Sequence, residues 1–235
     1  FGCRASFFVA AGLLFVAFLL SLIFVRESFK PTANASFSFF SDLRALLVNA
    51  GMFSIIGLIF VYGLSQNIQK PLLPLVVQNL VTTGAGLATQ AGIVNSAAGV
   101  ASILAGILIG AIADRGRKTL KLGIACALLG GVFVFLMVFV ARVWHLILFS
   151  FLFAFFIGGL EPILKVLLVR IVPVEKRGSA LGLTASANAF GWFVGALSGG
   201  VFAAVFGLRS IFVISAGFFV GIAGLLALLG RGKDY

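Results

Sequence analysis

The chain has 235 residues, of which 62% are hydrophobic and only 10% are charged, and its mean hydropathy is +1.23. A soluble domain carries about 25% charged residues, so this composition excludes a water-soluble globule, a disordered chain and a collagen-like chain. The net charge of +11 does not by itself indicate nucleic-acid binding, because Lys and Arg also collect in the cytoplasmic loops of membrane proteins.

Seven continuous apolar runs follow one another along the chain, and a helix needs about 20 such residues to cross a bilayer. Membrane barrels instead show alternating polarity over strands of about ten residues, and this pattern is absent. We therefore predict an all-α integral membrane protein with seven transmembrane helices. In chain order the predicted spans are 5–25, 52–79, 88–112, 120–140, 144–171, 179–206 and 209–230.

Basic residues are distributed unequally between the two sides of these spans. Twelve of them fall in the connections after the first, third and fifth spans and in the C-terminal tail, whereas three fall on the opposite side. Because Lys and Arg are enriched in cytoplasmic loops, these connections and the C-terminus are predicted to be cytoplasmic.

The connection after the third span carries a short acidic and basic motif. Its residues are Gly110, Asp114, Arg115, Gly116, Arg117 and Lys118. The motif resembles the GxxxD(R/K)xGR(R/K) loop signature of the major facilitator superfamily, with one residue missing between Arg115 and Gly116. A carboxylate at Asp114 can interact with a helix N-terminus, and basic residues favour the cytoplasmic leaflet. A simple positively charged cytoplasmic loop explains the basic residues equally well.

The sixth span contains a regular series of glycines. They are Gly182, Gly191, Gly195, Gly199 and Gly200. This series resembles the Gly-rich antiporter motif of drug/proton exchangers in the same superfamily, with Ala196 where that motif has Pro. Close helix packing through small residues explains the individual glycines equally well.

The resemblance extends to the proline-containing segment 70–78 and to the loop 172–178, and so covers the whole chain. It implies that the seven spans are helices 6 to 12 of a twelve-helix transporter of the multidrug-efflux type. Residues 1–25 would then be the last helix of the N-terminal half, 26–44 the cytoplasmic loop between halves, and 45–235 the C-terminal six-helix bundle. We accordingly expect a fragment whose missing partner is the N-terminal half, in a bacterial or archaeal plasma membrane with a cytoplasmic C-terminus.

Polar side chains follow one face of the second span. Tyr62, Gln66, Gln69 and Lys70 have the i, i+4, i+7, i+8 spacing, and Asn67 lies beside them. A lysine that faces lipid at this depth costs about 2.5 kcal/mol or more, so Lys70 is predicted to face a wet cavity or a carboxylate. The alternative is that its long side chain extends to the membrane interface.

The fifth span holds one acidic residue, Glu161, next to Pro162 and four residues before Lys165. A carboxylate within a membrane is a candidate functional group, and here it could carry a proton. The i, i+4 order of Glu161 and Lys165 also favours a static ion pair, and both interpretations stay open.

Two stripes of small residues are typical of helix contacts. On the third span the stripe is Asn95, Gly99, Ser102 and Gly106. On the sixth span it is Thr184, Asn188, Gly191 and Gly195, with Trp192 beside it. Asn95, Asn188 and Trp192 are nevertheless candidates to line a cavity. In the family an arginine lies near the outer third of helix 4, the counterpart of the fifth span here, and this chain has Ser150 at roughly that place, so that role is not transferred.

The resemblance implies a secondary transporter that works by alternating access, with proton-coupled export of small amphipathic compounds. The expected partners are the lipid bilayer, a small-molecule substrate and protons. One alternative is a proton-coupled uptake symporter for a sugar or a small organic anion, because Lys70 and Lys165 suit an anion. A seven-helix receptor is a remote alternative.

Enzymatic activity is not expected, because the sequence contains no pattern typical of a catalytic triad, metal cluster or phosphate-binding loop. Two isolated cysteines and one histidine give no metal-ligand spacing. We therefore expect no metal, no cofactor and no nucleic acid.

Overall fold

The computed structural model describes residues 3–24, 50–80, 86–115 and 119–231, so the predicted loop 26–44 lies outside the described residues. The chain forms two compact units, Phe1–Ser38 and Phe39–Tyr235. In the first unit, helix α1 is Cys3–Phe24. The side chains described in α1 are exposed and almost entirely apolar, as expected of a helix that lies in lipid.

The second unit is built from helices throughout its described part. They are α2 (Ala50–Asn67), α3 (Leu73–Leu80), α4 (Leu87–Arg115), α5 (Thr119–Leu136), α6 (Val143–Ile171), α7 (Arg177–Phe206) and α8 (Ser210–Arg231), with 3₁₀ turns at Lys70–Leu72, Met137–Phe139 and Val174–Lys176. Counting α1, the described residues contain seven segments long and apolar enough to cross a membrane. The predicted all-α fold with seven spans is therefore confirmed.

The second span is interrupted near its end, which corrects the prediction of a single helix over 52–79. Helix α2 ends at Asn67, and a 3₁₀ turn separates it from α3. Pro71 and Pro74 lack the N–H groups that would continue the helical hydrogen bonds. The backbone closes a tighter turn instead, in which the N–H of Leu72 donates to the carbonyl of Gln69 at 3.0 Å.

Three helix pairs make the most extensive contacts in the second unit: α2 with α7, α4 with α6, and α5 with α8. Successive glycines of α7 lie against successive turns of α2, so these two helices run parallel. Helix α6 also packs along α5, and Gly130 of α5 meets the side chain of Ile157 there. Helix α6 therefore has neighbours on several sides.

Side chains from four helix ends meet at one end of the bundle. They are Ile55 of α2, Leu120 of α5, Leu167 of α6 and Leu229 of α8. At the opposite end, Leu80 lies near Val140 and Leu208. The described helix ends that adjoin the connections predicted to be cytoplasmic thus lie at the same end of the bundle.

Candidate functional site

A cavity of about 570 Å³ opens between α2, α4 and α6, with one residue from α7 at its edge. Seven of the ten residues predicted for a substrate or proton pathway line it. They are Tyr62, Gln66, Gln69, Lys70, Asn95, Glu161 and Trp192. The helical spacing of the second span thus places its four polar side chains on one cavity wall.

A chain of hydrogen bonds joins three of these side chains to α6. Lys70 Nζ donates to Gln66 Oε1 at 2.8 Å, and Gln66 Nε2 donates to the Tyr62 hydroxyl at 2.6 Å. The Tyr62 hydroxyl donates in turn to the carbonyl of Ile157 at 3.2 Å. Lys70 and Gln66 each donate to the residue four positions earlier, and Tyr62 donates to α6, so the amide of Gln66 connects the Lys70 charge to the α2–α6 contact.

The Lys70 ammonium also lies 5.7 Å from the centre of the Trp192 ring. A cation above the face of an indole is stabilised by the ring's electron density. Lys70 is therefore held at the cavity by an amide oxygen and an aromatic ring, and it is close enough to interact with the charge of Glu161.

Glu161 lies at the junction of the cavity and a second lysine. Its Oε1 atom accepts a hydrogen bond from Lys165 Nζ at 2.8 Å, as the i, i+4 spacing predicts. Glu161 also faces the Tyr62 hydroxyl, so it contacts the polar wall of α2. Among the side chains that the structure describes, it is the only carboxylate.

Pro162 follows Glu161 and removes the helical donor for the carbonyl of Gly158, which lines the cavity. The segment around Glu161 therefore contains a backbone carbonyl that lacks its helical donor, close to an acidic side chain. Such groups suit proton movement or the recognition of a polar substrate group.

Three predicted pathway residues do not line the cavity. Asn67 Nδ2 donates to the carbonyl of Gly63 in its own helix at 3.4 Å. Asn188 covers Gly63 from α7, where a Cβ atom on the glycine would lie 2.5 Å from Asn188 Oδ1. Lys165 is half-buried and reaches the site through its ion pair with Glu161.

Two serines line the cavity although neither was predicted to do so. Ser102 of α4 was assigned to a helix contact, and it does lie against Gly158 as well as at the cavity. Ser150 of α6 had no predicted role. No local pattern distinguishes Ser150 from other serines in apolar helices, because its place follows from how α6 packs on α2.

The glycines of α7 divide into two groups. At Gly191, Gly195 and Gly199 a Cβ atom would collide with backbone atoms of α2. Gly182 and Gly200 are exposed, with no neighbour within 4 Å of such a Cβ, so the structure does not place them in the predicted helix contact. Three glycines four residues apart thus let α7 approach the backbone of α2 closely.

The predicted loop motif lies mostly outside the described residues. Gly110 and the backbone of Asp114 and Arg115 belong to α4, whereas Gly116, Arg117 and Lys118 fall in the gap before α5. The proposed role of the Asp114 carboxylate therefore stays a prediction.

Comparisons with known proteins relate the second unit, with its six membrane-crossing segments, to one family. Residues 55–234 match the Major Facilitator Superfamily. Proteins described as "Multidrug resistance protein MdtG" from Salmonella arizonae, Salmonella paratyphi B and Salmonella newport are each 28% identical to this chain over 218 residues. These alignments cover 92% of this chain and 54% of each relative, so the chain spans about half the length of the curated relatives it matches.

The family match covers every helix from α2 to α8, including the cavity and the glycine contact described above. It also excludes the seven-helix receptor that the helix count alone left open. Its members are integral membrane proteins that transport solutes and are not enzymes. The chain belongs to the Major Facilitator Superfamily.

Proposed function

We propose that this chain is the C-terminal half of a transporter that exports small amphipathic compounds in exchange for protons. In this proposal residues 1–25 are the last helix of the N-terminal half, 26–44 link the halves, and 45–235 form the C-terminal bundle. The cavity is one wall of the substrate pathway, and the N-terminal half supplies the other wall. Alternating access then exposes the cavity to each side of the membrane in turn.

The observation that carries this proposal is the position of Glu161. It is a titratable carboxylate at a mixed polar and apolar cavity, and it contacts a lysine on its own helix and a tyrosine on α2. A proton on Glu161 would cancel its attraction for both lysines, which gives protonation a direct effect on the α2–α6 contact. The relatives named as multidrug resistance proteins support export as the direction.

A second candidate function is proton-coupled uptake of a small organic anion or a sugar. The observation that favours an anion is the local charge, because Lys70 and Lys165 accompany a single carboxylate, Glu161, among the described side chains near the cavity. An anionic substrate would offset the remaining positive charge. The direction of transport distinguishes this candidate from export.

Transport in inverted bacterial membrane vesicles tests the proposal. The cytoplasmic face of such vesicles is outward, so an exporter accumulates a fluorescent amphipathic dye inside them when respiration acidifies the lumen. We expect accumulation that a protonophore abolishes, and we expect protease to reach a C-terminal tag, because the C-terminus is proposed to be cytoplasmic. Dye movement only out of the vesicles, or unaffected by the protonophore, would contradict proton-driven export.

A further inference from the structure

Two polar atoms at the cavity are buried without a hydrogen-bond partner in the part of the chain that the structure describes. They are Oε1 of Gln69 and Oγ of Ser150. Gln69 is only 5% exposed and Ser150 only 4%, and both residues line the cavity. Buried polar groups almost always have partners, so this pair indicates that something else bonds to them there.

The contact between α2 and α6 brings these two residues to the same part of the cavity. Tyr62 of α2 is hydrogen-bonded to Ile157 of α6, and the two helices run in opposite directions. Ser150 lies seven residues before Ile157 in α6, which is about two helical turns or about 10 Å. Gln69 lies seven residues beyond Tyr62, just after the end of α2, but its backbone keeps right-handed helical angles (φ −103°, ψ −30°), and the N–H of Ile68 still donates to the carbonyl of Leu64 at 3.1 Å. Both residues therefore lie about two turns from the hydrogen-bonded pair in the same direction, and both line the cavity.

The two unpaired groups differ in the hydrogen bonds that they can make. The amide oxygen of Gln69 can only accept a hydrogen bond, whereas the Ser150 hydroxyl can donate one. A single hydroxyl group between them would donate to Gln69 and accept from Ser150. A carboxylate would satisfy Ser150 but would place a second acceptor beside Gln69 Oε1.

We propose that Gln69 and Ser150 form a subsite that selects amphipathic compounds bearing a hydroxyl group. The inference rests on the proposed transport function, because it assigns the substrate class of the same cavity. The apolar body of the compound would lie against Phe153 and Leu73, which line the cavity beside the two polar groups. A water molecule occupies the subsite when no substrate is bound.

Ser102 provides an internal comparison for this subsite. It lines the same cavity, but its hydroxyl donates to the carbonyl of Ala98 in its own helix at 3.0 Å. Its donor is therefore already used and cannot serve a ligand oxygen as that of Ser150 can, so Ser102→Ala should keep the advantage of an oxygen-bearing ligand over a hydrocarbon.

The test uses three probes of similar shape, each substituted on the middle ring of anthracene: the hydroxymethyl compound, its methyl ether and the ethyl compound. The alcohol can donate and accept, the ether can only accept, and the hydrocarbon can do neither. Their binding is measured by energy transfer from tryptophan to anthracene in the transporter expressed from its complete gene and reconstituted in lipid. Protein-free vesicles give the correction for partitioning.

We expect the alcohol to bind most tightly and the hydrocarbon most weakly, with a loss of roughly three- to tenfold for each missing hydrogen bond. Gln69→Leu should make the alcohol and the ether equal, whereas Ser150→Ala should make the ether and the hydrocarbon equal. Ser102→Ala should keep the wild-type order.

Equal affinities for the three probes in the wild type, or the same order of affinities in Ser150→Ala as in Ser102→Ala, would overturn the subsite. Absence of binding by the alcohol would overturn it as well. Each of these results would leave proton-driven export standing, because the dye assay in inverted vesicles tests that function separately.

Discussion

Helix α2 has two faces that are built in different ways. One face lies against Gly191, Gly195 and Gly199 of α7, with backbone packed on backbone and no side chain between. The other presents Tyr62 and Gln66 to a cavity of about 570 Å³. The first face leaves no space between the two helices, whereas the second leaves space that a ligand can fill.

This difference assigns separate tasks to the two sides of one helix. The glycine contact packs α2 and α7 closely against each other, and closely packed elements resist deformation. In the proposed function the cavity face carries the ligand and proton chemistry. Substitutions on the two faces should therefore have different effects, the first on stability and the second on binding and transport.

The largest stability effect is expected at the glycine contact. In Gly195→Ala the new methyl group would collide with the backbone of Leu64. Overpacking of this kind costs about 1–3 kcal/mol, and backbone atoms cannot move aside as a flexible side chain can. Thermal unfolding of the detergent-solubilised transporter should show a clear fall in Tm.

Gly200→Ala is the matched control for that experiment. Gly200 lies on the same helix, but a methyl group there meets no atom within 4 Å. Alanine also favours the helix over glycine by about 1 kcal/mol, so Tm should stay unchanged or rise. Equal losses of Tm in both variants would show that the contact between Gly195 and α2 does not determine the stability effect.

A smaller effect on stability is expected on the cavity face, at Tyr62. Tyr62→Phe removes the hydroxyl that joins Gln66 to the carbonyl of Ile157. The free energy of unfolding should fall by about 0.5–1.5 kcal/mol, the net value of a typical hydrogen bond. Substrate affinity should change at the same time, because Gln66 and Lys70 lose their fixed position.

Ser65→Ala is the control for Tyr62. The Ser65 hydroxyl donates to the carbonyl of Val61 in its own helix, while its backbone carbonyl accepts the Ser215 hydroxyl and would be unaffected. Denaturant unfolding and probe binding should both change less in Ser65→Ala than in Tyr62→Phe. A larger change in probe binding in Ser65→Ala would refute the assignment of Tyr62 to the cavity wall.

The membrane-crossing segments and the polar face of the second segment could be predicted from the sequence alone. Lipid requires continuous apolar helices, so hydropathy alone placed the ends of α6 and α7 within two residues. The spacing of Tyr62, Gln66 and Lys70 placed them on one face because the helical period is a local property. The same reasoning paired Glu161 with Lys165.

Properties that depend on which helices meet were not predictable in this way. Ser150 became a cavity residue only because α6 packs on α2 with Ile157 opposite Tyr62. Asn188 lies over Gly63 and not in the cavity, because the glycines of α7 bring the backbone of α7 close to the backbone of α2. The sequence shows small residues in both cases, but it does not show what lies across from them.

The central claim is that Glu161 carries the coupling proton and is more than the partner of Lys165. In Glu161→Gln the side chain keeps its size and hydrogen-bonding capacity but cannot titrate, so proton-driven transport should be lost while substrate binding or exchange persists. If the carboxylate served only to neutralise Lys165, this variant would instead be unstable because the Lys165 charge is left unpaired within a membrane-spanning helix.

The most direct measurement is the pH dependence of transport in the double variant Glu161→Gln with Lys165→Met, made in the transporter expressed from its complete gene. The substitution at Lys165 removes the uncompensated charge, so the protein should fold. We predict that it binds or exchanges substrate but shows no transport driven by a proton gradient. Restored transport that still follows the proton gradient would contradict the role of Glu161 as proton carrier and leave the ion pair with Lys165 as its function.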